Sequence, residues 1–318
     1  MRAFVTGLDG FAGQWLAREL LTAGAEVAGG SRVANPSFSI LTADEAAAVR
    51  WHPFELDDRA SVEAAFADAR PDAIYHLAAQ ASVADSFADP AATFQTNAVG
   101  TGNVLEAARA STPDAAVLFV GSADAYGTVT PAELPLRESA ELRPANPYAA
   151  SKAAAESIAL QFGRTGLLRV VATRSFNHTG PGQRTAFAIP AFAKQIADIK
   201  RGSADPVLRV GNLDARRDLS DVRDVVRAYR LIVERGETGD VYNVCSGASV
   251  SMRSIVDELI RISGASVRIE VDPNRLRRND TPDLVGDNAR VRERTGWSPT
   301  IPLGRTLADV LAWLVARE

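Results

Sequence analysis

A glycine turn set between a strand and a helix constrains this chain more than any other feature. Phe4-Val5-Thr6 reads as the end of a buried strand, and Gly7-x-x-Gly10-x-x-Gly13 follows directly. A helix then runs from about Phe11 to Ala23, with Trp15, Leu16, Leu20 and Leu21 at helical spacing and Gly24 at its expected stop. Glycines permit a tight turn and close backbone approach to a pyrophosphate. The helix start behind them presents unpaired N–H groups and positive partial charge to such an anion. A glycine triplet is common in plain structural turns, so its place after the first strand carries the weight.

Strands and helices alternate through the first 175 residues or so. Strands are expected at 26–28, 73–77, 115–120 and 168–173, and helices at 59–69, 91–111 and 147–162. This order implies βαβ units, a parallel sheet and right-handed crossovers. The alternation stops after Ser175, where Pro181, Pro190 and Pro206 punctuate a less regular stretch. One more helix is expected at 221–234 and one more strand at 241–244. Ser251 would cap a helix that ends at Gly264. The expected division is a large α/β domain of residues 1–175, joined again by 212–247, and a smaller α/β domain of 176–211 and 248–318.

Composition excludes several classes. No apolar run reaches the length of a membrane span, and the start of the chain lacks a secretory signal. The net charge of -4 gives no basic footprint for nucleic acid. His52, His76 and His178 lack ligand spacing, so no metal is expected, and His76 is read as a core or near-core residue. The single cysteine, Cys245, forms no internal disulfide and suits a reducing cytoplasm.

The cofactor end and the chemistry come next. The second strand ends Gly29-Gly30-Ser31-Arg32, where an NAD site usually carries an acidic residue. A hydroxyl and a guanidinium there suit a 2′-phosphate, which favours NADP(H), with NAD(H) as the alternative. The competing reading of Arg32 is a solvated surface arginine, in a chain that has only three lysines among 35 basic residues. One of those lysines is Lys152, four residues after Tyr148 and so on the same helix face. A nearby ammonium stabilises a phenolate, so Tyr148 is expected to be acidified into an acid–base group, with Lys152 also in reach of the nicotinamide ribose. Ser122, at the end of the preceding strand, is placed to hydrogen-bond the same substrate oxygen.

With these residues in view, the chain resembles the extended short-chain dehydrogenases/reductases from end to end. The matching stretches are Thr6 to Gly13, Tyr75-His76-Leu77-Ala78-Ala79-Gln80, Thr96-Asn97, Gly121-Ser122, Tyr148 to Lys152, and Arg174-Ser175-Phe176-Asn177. The resemblance implies a Rossmann doubly wound sheet with a smaller substrate domain, and a catalytic Ser122, Tyr148 and Lys152. It implies cofactor contacts from Gly7, Gly10, Phe11, Ala12, Gly13, Ser31, Arg32, Leu77, Ala78, Ala79, Asn97 and His178, besides Tyr148 and Lys152. Glu55-Leu56 stands where the family carries Asp-Leu against the adenine. Family members commonly pair through two long helices, which implies a homodimer built on the 91–111 and 147–162 segments.

Finer motifs are similar to the branch of the family that acts on GDP-sugars, its 4-keto-6-deoxy-mannose reductases and their dehydratase relatives. These motifs are Phe176 to Gln183, Phe192 to Ile196, Val210 to Leu213, Arg217-Asp218 and Val241 to Gly247. That likeness implies NADPH-dependent reduction of a GDP-4-keto-6-deoxy-sugar. It also implies substrate contacts from Ser82, Ser122, Asn177, Lys194, Arg217, Arg277 and Asp280. The rivals within the family are another nucleotide-sugar 4-ketoreductase or an epimerase, and a 4,6-dehydratase, which needs an extra carboxylate as acid–base. Asp124 occupies the position of the dehydratase glutamate with one methylene less reach, and is otherwise a turn or capping residue. Thr179 and Gly182-Gln183 replace the dehydratase's glutamate and basic pair, which favours the reductase. A non-catalytic NADP-sensing module is the reading from another class; Tyr148 and Lys152 argue against it.

Overall fold

The computed structural model describes residues 1–275 and 281–316, so Arg277 and Asp280 lie outside the described residues. The first part of the chain runs β1 (Arg2–Thr6), α1 (Phe11–Thr22), β2 (Glu26–Gly30), α2 (Ala43–Ala47), β3 (Val49–Trp51), α3 (Arg59–Ala69), β4 (Ala73–His76), α4 (Val83–Ala88) and α5 (Pro90–Phe94). A π-turn at Gln95–Val99 leads into α6 (Gly100–Ser111), β5 (Ala116–Ser122), α7 (Pro147–Arg164) and β6 (Arg169–Ser175). Then come β7 (Asn177–Thr179), α8 (Ala188–Lys200), β8 (Val207–Val210), β9 (Arg216–Asp221), α9 (Val222–Arg235) and β10 (Val241–Val244). The remainder is β11 (Ser249–Ser251), α10 (Met252–Ser263), β12 (Arg268–Val271), β13 (Asp283–Leu284), α11 (Ala289–Thr295) and α12 (Leu303–Ala316).

Seven strands form one parallel sheet in the order β10-β6-β5-β4-β1-β2-β3. This is the doubly wound order with one strand added at the edge. The strand order reverses between β1 and β4, so a ligand crevice belongs outside their carboxyl ends. Thr6 and His76 are partners there, and Ser122 and Ser175 end the neighbouring pair.

Each strand feeds both faces because its side chains alternate. Ala3, Val5, Tyr75 and Leu118 pack with Trp15, Leu16, Val225 and Tyr229 of α1 and α9. Phe4, Ile74, Val117 and Phe119 pack on the opposite side with Val62, Phe66, Val104 and Ala155 of α3, α6 and α7. A separate apolar core joins α8, α10 and α12 through Phe192, Ile196, Val256, Leu259, Leu307 and Val310. Two small sheets, β11-β9-β13 with β7 beside β9, and β12-β8, complete that region.

One expected element is interrupted. The single helix read at 91–111 is two helices with a π-turn between them. Helical spacing alone does not register the extra residue of the π-turn, beside which Thr101 Oγ1 donates to Asn97 O (2.6 Å). Among the described residues no helix is long and apolar enough to cross a membrane.

Candidate active site

The glycine turn at the end of β1 is knitted by backbone bonds from Gly7 N–H to Gly30 O (2.7 Å) and from Gly10 N–H to Gly7 O (3.0 Å). Gly7 has φ of 69°, a conformation glycine adopts readily. A Cβ on Gly13 would collide with the Gly7 carbonyl and come within 2.7 Å of Leu8 Cα. Gly10 caps α1 without a side chain, so the first N–H groups of the helix face outward unobstructed. Gln14 holds the turn from behind, donating to Asp9 O (2.8 Å) and accepting from Ile40 N–H (2.8 Å). Such a cradle fits a pyrophosphate. Ala78 lies against it, 3.0 Å from where a Gly7 Cβ would be, and Phe11 stacks on His178 with ring centroids 6.2 Å apart. Arg32, Glu55, Phe54, Asp58 and Ser61 line a hollow at the end of β2. Arg32 and Glu55 are both exposed there, and Ser31 Oγ accepts from Val33 N–H (3.1 Å).

Tyr148 enters at the start of α7, which Asn146 caps by accepting from Ala149 N–H (2.8 Å) and which begins with Pro147. Ser122 ends β5 beside Tyr148 and accepts from Asp124 N–H (3.2 Å). The three predicted residues Ser122, Asp124 and Tyr148 are therefore brought together. Their electrostatics correct the sequence expectation. Burial raises the Tyr148 phenol above its ordinary value, the Asp124 carboxylate raises it further, and the Ser122 hydrogen bond opposes both. Lys152 does not acidify it in this geometry. Its ammonium stands over the Phe119 ring, 4.7 Å from the centroid, and the residue is only 6% exposed. Burial lowers the Lys152 pKa to about 8, against the pull of Glu156 one turn further along α7. The phenol is thus held protonated, which is the form that donates.

Several residues around this pair were not singled out from the sequence. Ser151 donates to Tyr148 O (2.8 Å) and accepts from Asn97 Nδ2 (2.9 Å). Asn97, expected at the cofactor, is buried and spends its amide on Ser151 and on Gln80 O (3.0 Å), while its Oδ1 accepts from Gln80 N–H (2.8 Å). Arg174 forks onto Glu156 with contacts of 2.8 to 3.2 Å and stacks over Tyr126. The position of Ser151 inside the Tyr148–Lys152 motif was the available signal. Nothing in spacing announces the Glu156–Arg174 pair, because its members lie on different elements.

The residues expected at the substrate are spread over more of the molecule. Asn177 is exposed on β7 beside His178. Arg217 on β9 donates to Arg216 O and Thr281 O (2.7 Å each), and the neighbouring Asp218 clasps the N–H groups of Ser246 (2.7 Å) and Gly247 (2.9 Å). Lys194 pairs with Asp198 (3.1 Å) on the same face of α8. Ser82 accepts from Asp85 N–H (3.2 Å) and so serves as the cap of α4. Leu56, whose carbonyl accepts from Asn103 Nδ2 (2.8 Å), Leu77 and Ala79 are partly buried near the carboxyl ends of the strands.

Comparison with known proteins agrees with this geometry. The family model described as GDP-mannose 4,6 dehydratase matches residues 4–310. The chain is 39% identical to the GDP-6-deoxy-D-mannose reductase of Pseudomonas aeruginosa, over 98% of this chain and 96% of that protein. It is 28% identical to a GDP-mannose 4,6-dehydratase of Yersinia enterocolitica, over 98% of this chain and 93% of that protein. The solved structure of RMD from Pseudomonas aeruginosa complexed with NADPH superposes with a TM-score of 0.86 at 36% identity, covering all of both chains. With the parallel sheet, the glycine cradle and the Ser122–Tyr148 pair at one sheet edge, the chain belongs to the GDP-mannose 4,6 dehydratase family of extended short-chain dehydrogenases/reductases.

Proposed function

We propose that the protein reduces the C4 ketone of GDP-4-keto-6-deoxy-D-mannose with NADPH, giving GDP-D-rhamnose and NADP+. The observation that carries this reading is the placement of Tyr148 beside Ser122 at the carboxyl edge of the sheet, with Lys152 one turn along the same helix. It is supported by the 39% identity to a GDP-6-deoxy-D-mannose reductase. Bound NADPH supplies the hydride that adds to C4. Tyr148 donates its proton to the ketone oxygen, and Ser122 orients that oxygen with its hydroxyl. The phenolate left behind regains a proton from solvent, and the buried Lys152 ammonium is proposed to meet the nicotinamide ribose. The cradle of Gly7, Gly10 and Gly13 and the Arg32 guanidinium hold the pyrophosphate and the 2′-phosphate, so reaction distance is set by binding. Asn177 and Lys194, in a substrate domain formed by 176–211 and 248–318, and Arg217, in the 212–247 segment that rejoins the large domain, are proposed to meet the sugar nucleotide.

Asp124 is the one feature that favours a second reading, dehydration of GDP-mannose, because it puts a carboxylate beside the phenol. In the reductase its charge instead keeps Tyr148 in the donating form. The test is incubation with NADPH and GDP-4-keto-6-deoxy-D-mannose, following NADPH absorbance and identifying the sugar by NMR. Stoichiometric NADPH loss with a 6-deoxy-hexose product supports the reading. Conversion of GDP-mannose to the 4-keto-6-deoxy sugar without net NADPH loss would overturn it.

A further inference from the structure

Proton counting along the buried polar groups of the sheet edge reveals a directed chain. Thr6 Oγ1 accepts from Leu77 N–H and Ala78 N–H (3.1 Å each), which occupies both of its lone pairs. Its single proton therefore points at His76 Nδ1, 2.8 Å away. With Nδ1 accepting, the neutral ring carries its proton on Nε2, and this donates to Thr101 Oγ1 (3.0 Å). The Thr101 hydroxyl in turn donates to Asn97 O (2.6 Å). Asn97 Nδ2 donates to Ser151 Oγ, and Ser151 Oγ donates to Tyr148 O. Every proton has one acceptor, and the line runs from the residue before the glycine turn to the backbone of the proposed proton donor.

His76 is the member that makes this line continuous. It is 3% exposed and bridges β1 and α6. The charged group whose field reaches it is the Lys152 ammonium on α7. A second ring proton would face both that charge and the Thr6 hydroxyl proton, so the ring stays neutral. The π-turn at Gln95–Val99 sits between its two ends, and such turns recur at functional sites.

We propose that His76, as the Nε2–H tautomer, is a positioning residue for the reaction, fixing the π-turn so that Asn97 and Ser151 hold Tyr148 in register with the glycine turn. This rests on the reductase reading for its kinetic arm only. Two measurements test it. In the 15N-labelled protein, long-range 1H–15N NMR correlations report the tautomer of each of the three histidines. His76, assigned from a His76→Gln spectrum, should show a pyridine-like Nδ1 and a pyrrole-like Nε2, unchanged from pH 6 to pH 9. An Nδ1–H tautomer, or a charged ring in that range, overturns the proposal even if the keto-sugar is not the substrate.

The second measurement compares Thr101→Val and His76→Gln with the parent for kcat, KM and NADPH Kd. The valine keeps the volume of Thr101 and removes only the Thr101 links. Misplacing a catalytic group lowers kcat by about 10- to 100-fold. That loss is expected for both variants, with KM and NADPH Kd within about threefold, since misplacement acts on the reacting geometry and not on ligand binding. Folded variants with parental kcat, or with equal losses in every constant, contradict a positioning role. A parent that does not reduce the keto-sugar refutes the reductase reading and leaves the NMR result to decide this one.

Discussion

Charge state at single residues decides how this site works. The phenol is kept protonated by burial and by Asp124, and the ammonium near it is the group that titrates near neutrality. Lys152 deprotonates through about pH 8 in the folded protein, and its ordinary value is 10.5. Activity that needs the ammonium is complete below that pH and is lost as pH rises through it, so kcat/KM should fall above about pH 8. Stability should move the other way. Between about pH 8 and 10.5 the unfolded chain binds more protons at this residue, so unfolding free energy rises with pH, and Lys152→Met should abolish that rise. Paired pH–rate and urea-unfolding series check both signs. At the cofactor end, Arg32→Ala should raise the NADPH KM by about tenfold, the worth of one charge-assisted contact of ~1.4 kcal/mol, and leave the NADH KM nearly unchanged. Equal effects on both coenzymes would remove Arg32 from the 2′-phosphate site.

At the level of elements, the sequence was most legible where periodicity and punctuation agreed. The strand, glycine turn and α1 occur as read, as do β10 at 241–244 and α10 from its Ser251 cap to Gly264. The elements missed were short or lacked a distinctive pattern. Strand β3 is three residues, Val49–Trp51, and none of β7, β9, β11 and β13 exceeds six. Helices α8 and α12 are amphipathic, yet prolines at 190 and 302 sit inside or just before them and read as breaks. Proline is tolerated in the first turn of a helix, where its missing N–H is not needed. The π-turn was invisible because one extra residue in a helical turn leaves no mark on apolar periodicity. So was the acid–base balance at Tyr148: spacing put Lys152 on its helix face, but not over Phe119. The buried Glu156–Arg174 pair locks α7 to β6 beneath the catalytic residues. Glu156→Gln leaves a buried guanidinium without its charge partner, which should cost about 3–5 kcal/mol in urea unfolding. A loss under about 1 kcal/mol would show the pair to be dispensable.

On the scale of the whole molecule, the sheet order brings Thr6, His76 and Ser122 to one edge from three separate segments of the chain. That convergence is a property of topology, and the βα alternation made it foreseeable. The assembly is a separate matter. Phe87, Phe94 and Val99 are exposed on α4, α5 and the π-turn, next to α7. We infer that these apolar groups, with α6 and α7, form the face through which two copies pair. Light scattering should then give twice the 33.8 kDa of one chain, and Phe94→Glu should shift the protein toward a single chain. A monomer at micromolar concentration would refute that assembly.

The central claim is that the Tyr148 phenol delivers the proton to the ketone oxygen, and Tyr148→Phe tests it most directly. Steady-state turnover of GDP-4-keto-6-deoxy-D-mannose and NADPH binding should be measured on the folded variant. Loss of the proton donor lowers kcat by about 10²- to 10⁴-fold. The account predicts a fall of that size with the NADPH Kd within about threefold, because a donor acting in the reaction itself need not hold the coenzyme. Turnover close to that of the parent would contradict it.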